Sequence, residues 1–261
     1  MKIGFIGCGN MGSALASAVK KTGAELIVSD YDRARAEDFA KKECCQSGTN
    51  MQIADQADII FLAVKPNIIC SVAEEIKSAL NGRRCTVVTM AAGVKIKKLA
   101  EILGEDQPII RIMPNTPAAV GRGMITWCKN DAVSKEACHD FEESLAMAGR
   151  LDMIPEVMID AASAIAGCGP AFVYMFADAL ADGGVACGLP RDKALAYAVE
   201  TLAGAAEMMK ITGKHPEKLK DEVCSPGGST IEGVLALEDG AFRATAAGAV
   251  IAAYEKTKKL G

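Results

Sequence analysis

Lys2-Ile3-Gly4-Phe5-Ile6-Gly7-Cys8-Gly9-Asn10-Met11-Gly12 carries the strongest fold signal in the chain. A short apolar run of strand character leads into Gly7-x-Gly9-x-x-Gly12, and a helical pattern follows over Met11–Thr22. Strand, glycine turn and helix in that order are the context that a dinucleotide fingerprint requires. Gly7 permits the tight turn, Gly9 lets the backbone approach a pyrophosphate, and Gly12 allows helix and strand to pack closely. The intervening Cys8, Asn10 and Met11 join them as candidate cofactor-binding positions. Asp30, near the end of the next strand, is placed to hold ribose hydroxyls, whereas Arg33 and Arg35 just beyond suit a 2′-phosphate. The two signals compete, and Asp30 tips the reading slightly toward NADH over NADPH. Asp32 reads as the cap of the following helix.

Outward from this stretch, apolar runs alternate with helical patterns. Strands are expected at Lys2–Ile6, Glu25–Ser29, Ile59–Val64, Cys85–Met90 and Ile109–Met113, with helices at Ala34–Lys42, Ile68–Leu80 and Ile96–Leu103 between them. Such spacing means βαβ units, a parallel sheet and right-handed crossovers. Gly123–Lys129 and Arg150–Ile154 read as further strands around a helix over Lys135–Ala148. Ligands of such sheets bind at the carboxyl ends of the strands. That brings in three more loops: Ala63-Val64-Lys65-Pro66, Ala91-Ala92-Gly93-Val94 and Met113-Pro114-Asn115-Thr116-Pro117. Within them Ala63, Val64, Lys65, Pro66, Ala91, Ala92, Gly93, Pro114 and Asn115 are candidate cofactor contacts. Lys65, rigidified by Pro66, reads as a loop residue giving backbone contacts and not as a catalytic base.

Past Pro155 the strand signal stops, and helices are expected at Glu156–Ala166, Pro170–Cys187, Pro190–Thr212, Pro216–Val223, Ser229–Leu237 and Ala241–Lys258. Pro170, Pro190 and Pro216 each stand where a first helical position would be. The expected fold is an α/β Rossmann dinucleotide-binding domain, residues 1–155, followed by an all-α dimerisation and substrate-binding domain, residues 156–261. The run Ala194–Met209, rich in Ala and Gly, reads as a helix–helix dimer face.

Composition narrows the functional classes. Half of the 261 residues are hydrophobic and only 5% aromatic, which favours an aliphatic core of close-packed helices. The net charge of −4 leaves no basic surplus for a nucleic-acid partner. Ten cysteines without a C-x-x-C pair, and two histidines, supply no zinc-ligand pattern, so no metal is expected. Cys8, Cys70, Cys128 and Cys187 sit in apolar runs and read as small core residues of a protein in a reducing cytoplasm. The apolar stretch Ile159–Leu180 is interrupted by Gly167-Cys168-Gly169-Pro170 and carries Asp160 and Asp178, so no membrane partner is expected.

A second anion cradle lies in the last third, at Val223-Cys224-Ser225-Pro226-Gly227-Gly228-Ser229-Thr230. A Pro-Gly-Gly turn opening a helix points unpaired N–H groups and a positive dipole end at one place. This block, with Leu219–Glu222 before it, the opening Ile3–Gly12 run, the loops already quoted, Asp178–Gly184 and Gly188-Leu189-Pro190-Arg191, resembles pyrroline-5-carboxylate reductase over essentially the whole chain. The resemblance implies NAD(P)H-dependent reduction of the C=N bond of 1-pyrroline-5-carboxylate to L-proline. It also implies a homodimer assembled into a higher homo-oligomer, a decamer, with an active site shared between subunits. Ser225, Gly227, Gly228 and Ser229 are then substrate-binding, holding the carboxylate, and Thr230 is the catalytic candidate at the ring nitrogen. An imine, once protonated, is already electrophilic, so positioning matters more than a strong base. Where the family has a Gly-Ser-Gly-Pro-Ala-Tyr type segment this chain has Gly167-Cys168-Gly169-Pro170-Ala171-Phe172, which removes two hydroxyls. His215, before Pro216, reads as a helix start.

Two rival readings remain. β-Hydroxyacid dehydrogenases also join a Rossmann domain to a helical one, but they need a lysine at the junction, and none occurs from Leu151 to Asp192. A non-catalytic nucleotide sensor would bind NAD(P)H without turnover on any cyclic imine.

Overall fold

The computed structural model describes residues 1–259. The chain runs β1 (Lys2–Ile6), α1 (Asn10–Lys20), β2 (Glu25–Ser29), α2 (Arg33–Glu43), β3 (Gln46–Ser47), α3 (Asn50–Gln56), β4 (Ile59–Leu62), α4 (Ile69–Leu80), β5 (Thr86–Thr89), α5 (Ile96–Leu103) and β6 (Ile109–Met113). A 3-10 turn over Thr116–Val120 leads to β7 (Gly123–Lys129), α6 (Lys135–Ser144), β8 (Gly149–Met153) and α7 (Glu156–Ala166). Then follow α8 (Gly169–Ala186), α9 (Arg191–Thr212), α10 (Pro216–Val223), α11 (Ser229–Asp239) and α12 (Phe242–Lys258).

The strands form one sheet of order β3-β2-β1-β4-β5-β6-β7-β8. Its central strands are continuous apolar runs because both faces are covered, as a parallel sheet demands. Phe5 of β1 lies opposite Phe61 of β4, and their rings stack 4.5 Å apart. One face packs on α1, α2 and α6 through Leu15, Val19, Phe39 and Phe141, and the other on α3, α4, α5 and α7 through Ile53, Ile76, Leu99 and Ile159. The sequence of strands reverses direction between β1 and β4, which makes the switch point of the fold.

Several details depart from the sequence reading. β7 runs antiparallel to β6, so the sheet is not parallel throughout. The segment Pro114–Arg122 joining them is shorter than the roughly dozen residues a parallel crossover needs. The short pair β3 and α3 was not foreseen. The expected core residue Cys187 is exposed, at the far end of α8, while Cys8 and Cys128 are buried as expected. Of the three prolines, Pro216 occupies the first turn of α10, Pro190 is itself the residue that caps α9, and Pro170 is the second residue of α8.

The chain divides into two compact units, residues 1–168 with residues 253–259, and Gly169–Ala252. α7 follows the composition shift at Pro155 but belongs to the first unit, where Ile159 and Ala164 are fully buried. In the second unit α8 packs on α9, with Gly184 so near Ala194 that a Cβ would stand 3.0 Å from its side chain, and Phe176 meets Phe242 at 5.5 Å. This unit exposes many large apolar residues, among them Tyr174, Met175, Tyr197, Val199, Met208 and Ile211. By length and composition Glu156–Ala186 is apolar enough to cross a membrane, despite the turn at Gly167–Cys168. Within it, however, Asp160 is ion-paired to the fully buried Arg111 of β6 at 2.8 Å.

Candidate active site

The glycine turn is built by contacts that only glycine allows. Gly7 has φ +108°, and a Cβ there would stand 2.5 Å from the carbonyl oxygen of Ala63. At Gly12 a Cβ would stand 2.2 Å from the Gly7 carbonyl oxygen, so α1 and β1 touch backbone to side. Gly9 is different: a Cβ would meet nothing within 4 Å. The turn is therefore closed on the protein side at Gly7 and Gly12 and open on the solvent side at Gly9. α1 begins immediately after Gly9 with no side chain capping it, so its first N–H groups and dipole face that opening. This cradle fits a pyrophosphate. Ala63–Pro66, at the end of β4, lies beside it across the switch point.

Asp30 closes the loop from the β2 side. One carboxylate oxygen accepts the Cys8 N–H at 2.7 Å, the other accepts the Asp32 N–H at 2.9 Å, and the Arg35 guanidinium stands 4.0 Å away. Asp32 caps α2 by accepting the Arg35 N–H, as expected. A cleft of about 200 Å³ opens here between Asp30, Arg33, Ser47, Gly48, Thr49 and Gln52. Its far wall is the unforeseen β3–α3 segment, whose helix start is a capping box of Thr49 and Gln52. The spacing Thr49-x-x-Gln52 was a readable signal. Burial pushes the Cys8 thiol up to about 12, with the Asp30 charge adding to the effect, so this residue is a neutral wall of the cradle.

A larger cleft, about 840 Å³, lies between the loops after β4 and β5, lined by Lys65, Pro66, Asn67, Gly93, Val94 and Lys95. Gly93 turns this second loop with φ +76°. Ala91 is buried, and its N–H is held by the Thr89 hydroxyl at 3.3 Å. Pro114 and Asn115 of the loop after β6 are buried as well. The Asn115 amide is used inside the protein: Nδ2 donates to the Ala166 carbonyl and Oδ1 accepts the Met124 N–H, both at 2.9 Å.

In the second unit, Gly228 N–H donates to the Ser225 carbonyl at 3.0 Å, closing a turn with Pro226 and Gly227 in the middle. Gly227 has φ +67°, the left-handed value that the third position of a type II turn takes. A Cβ on Gly228 would stand 2.5 Å from the Ser225 hydroxyl oxygen, so the turn brings that hydroxyl beside the helix start. α11 then begins at Ser229 with no side-chain cap, and Thr230 is its second residue. Ser225, Ser229 and Thr230 are all exposed. His215 caps α10, its Nδ1 accepting the Glu217 N–H at 3.3 Å, in the helix-start role expected of it.

Sequence reasoning missed one group altogether. Arg111, 1% exposed, donates to Glu156 at 3.3 Å and Asp160 at 2.8 Å, and Glu156 also accepts the Ile96 N–H at 2.8 Å. One carboxylate thus holds the start of α5, just after the Ala91–Val94 loop, to the start of α7. An arginine in an otherwise apolar strand, Ile109-Ile110-Arg111-Ile112-Met113, was the available sign.

Known proteins resemble this one along its whole length. Residues 156–260 match the family model for pyrroline-5-carboxylate reductase dimerisation, and residues 2–93 match that for NADP oxidoreductase, coenzyme F420-dependent. The pyrroline-5-carboxylate reductase of Escherichia coli is 42% identical over 99% of this chain and 98% of its own length. That of Arabidopsis thaliana is 38% identical, over 99% of this chain and 95% of its own. Among solved structures, the pyrroline carboxylate reductase of Plasmodium falciparum with NADP bound superposes with a TM-score of 0.90 at 35% identity, covering 100% of this chain and 98% of its own.

Proposed function

The chain belongs to the pyrroline-5-carboxylate reductase family, and from that premise we propose how its residues divide the work. The reaction is NAD(P)H-dependent reduction of 1-pyrroline-5-carboxylate to L-proline, the last step of proline biosynthesis. The nicotinamide, when bound, supplies the hydride for the imine carbon. The turn Gly7–Gly12 and the start of α1 hold the pyrophosphate, and Ala63–Pro66, Ala91–Gly93 and Pro114 seat the nicotinamide end. The substrate carboxylate rests on the N–H groups of Gly227 and Ser229, with Gly228, whose own N–H closes the turn on the Ser225 carbonyl, shaping the site and the Ser225 hydroxyl beside it. Thr230, one residue into α11, hydrogen-bonds the ring nitrogen, which gains basicity as the imine becomes an amine. The observation that carries this assignment is the uncapped α11 start on a Pro-Gly-Gly turn, the charge complement of a small carboxylate.

Thr230→Ala tests it together with Gly228→Val. The first should lower kcat about tenfold or more with little change in substrate KM, the loss of a hydrogen bond that matters at the reacting centre. The second forces a side chain onto Ser225 and should chiefly raise substrate KM. Wild-type kinetics in both variants contradict the assignment.

NADH is the proposed preferred reductant, on the strength of Asp30. Its carboxylate is the acidic wall of the ribose cleft, where a 2′-phosphate would meet a like charge. Asp30→Asn should move the ratio of kcat/KM values toward NADPH by about tenfold. A ratio that does not move assigns the choice to Arg33 and Arg35. The functional division is residues 1–155 for the cofactor and 156–261 for dimerisation and substrate. The dimerisation match supports a homo-oligomer, and the proposed assembly is a homodimer, covering exposed apolar helix of the second unit, built up into a decamer in the cytoplasm.

A further inference from the structure

We propose that Asn115 is a positioning residue: it fixes the end of α7 to the loop after β6 and does not itself bind the cofactor. This rests on the reductase reading and goes beyond it. Asn115 stands at the carboxyl end of β6, where a polar side chain would ordinarily be read as a ligand contact. The residue is 7% exposed, and each end of its amide has a partner within the protein. The donor side satisfies the carbonyl of Ala166, the last residue of α7, and so fills a role that a helix C-terminus otherwise leaves to solvent or a following turn. The acceptor side holds the N–H of Met124 in β7.

The same helix is gripped at its other end from β6 itself, the strand that leads into the Asn115 loop. Arg111 of β6 holds Glu156 and Asp160, in the first turns of α7, while Asn115, four residues later, holds the last. Two clamps, one from β6 and one from the loop that follows it, fix both the rotation and the axial position of a helix of 11 residues. Immediately beyond the second clamp come Gly167 and Cys168, whose N–H groups both return to the Ser163 carbonyl, at 2.8 and 3.0 Å. From there the chain continues to the residues that hold the substrate. Asn115 therefore ties the end of α7 to the loop after β6, itself one of the loops proposed to seat the nicotinamide, and its loss costs alignment of that loop and leaves cofactor affinity intact.

The test compares wild type, Asn115→Ala and Asn115→Asp. The aspartate keeps an acceptor for Met124 and removes the donor to Ala166. Three quantities are read: the Kd for NADH and for NADPH by fluorescence titration, amide exchange of residues 166–168, and the single-turnover rate of cofactor oxidation at saturating cofactor. Both variants should keep each Kd within about twofold, exchange residues 166–168 about five- to tenfold faster, and turn over at least about fivefold more slowly. A Kd raised fivefold or more overturns the proposal, as does wild-type exchange at the end of α7 or an unchanged single-turnover rate. If Asn115→Ala does not fold, Asn115→Asp carries the same comparison. Absence of turnover in the wild type, measured alongside, sinks the reductase reading, whereas Kd and exchange still decide the role of Asn115.

Discussion

Replacing two glycines of one turn by alanine should give opposite phenotypes. Gly12→Ala places a methyl group 2.2 Å from the Gly7 carbonyl oxygen and 2.9 Å from the Ala63 Cβ. Neither neighbour is the tip of a flexible side chain, and ordinary contact lies beyond about 3.4 Å. α1 must therefore retreat from β1 by about 1 Å, which loosens the fully buried Leu15 and Val19. Overpacking of this kind costs about 1–3 kcal/mol, and each kcal/mol lowers the unfolding midpoint by roughly 2–4 °C in a chain of this size. Gly9→Ala meets no atom within 4 Å, and Gly9 has φ −70°, a value any residue adopts. Its stability should stay within about 0.5 kcal/mol of wild type. Yet its methyl group enters the open side of the cradle, so the Kd for NADH and NADPH should rise at least about tenfold, or about 1.4 kcal/mol. Urea unfolding of the cofactor-free protein and fluorescence titration of each cofactor measure the two axes separately. Wild-type cofactor affinity in Gly9→Ala, or wild-type stability in Gly12→Ala, refutes the assignment of protein side and ligand side in this turn.

Two further outcomes follow from buried chemistry. Arg111→Met leaves Glu156 and Asp160 facing an apolar sheet without their cation, and should cost about 3 kcal/mol in urea unfolding; a loss under about 1 kcal/mol means the pair is not structural. With its thiol pushed up to about 12 by burial, Cys8 should stay unmodified by iodoacetamide at pH 8, while exposed Cys44 is alkylated; mass spectrometry of digested protein finding Cys8 labelled first contradicts that.

The first half of this fold is legible in the sequence because its signals agree at several levels. β1, the glycine turn and α1 are fixed by an apolar run, a spacing and a helical period together. Strand direction is different, since a strand covered on both faces, as β7 is, reads the same whichever way it runs. Only the short link before β7 carries that information, and it must be read against the length a crossover needs. β3 is two residues long with no apolar run, so periodicity has nothing to act on. At the site, glycines and capping residues were readable because backbone conformation dictates them. The partners of Asn115 and Arg111 were not, because Ala166 and Asp160 lie 51 and 49 residues away along the chain and meet them only in the folded protein. The position of Asn115 at a strand end marked it as important, and geometry alone distinguishes holding a helix from holding a cofactor.

The most direct measurement is the rate at which purified protein oxidises NADH and NADPH with and without 1-pyrroline-5-carboxylate, with L-proline quantified in the same samples. The account predicts oxidation that depends on the imine, one proline formed per cofactor oxidised, and a higher kcat/KM with NADH. A folded oligomer that binds either cofactor but oxidises neither in the presence of the imine contradicts it.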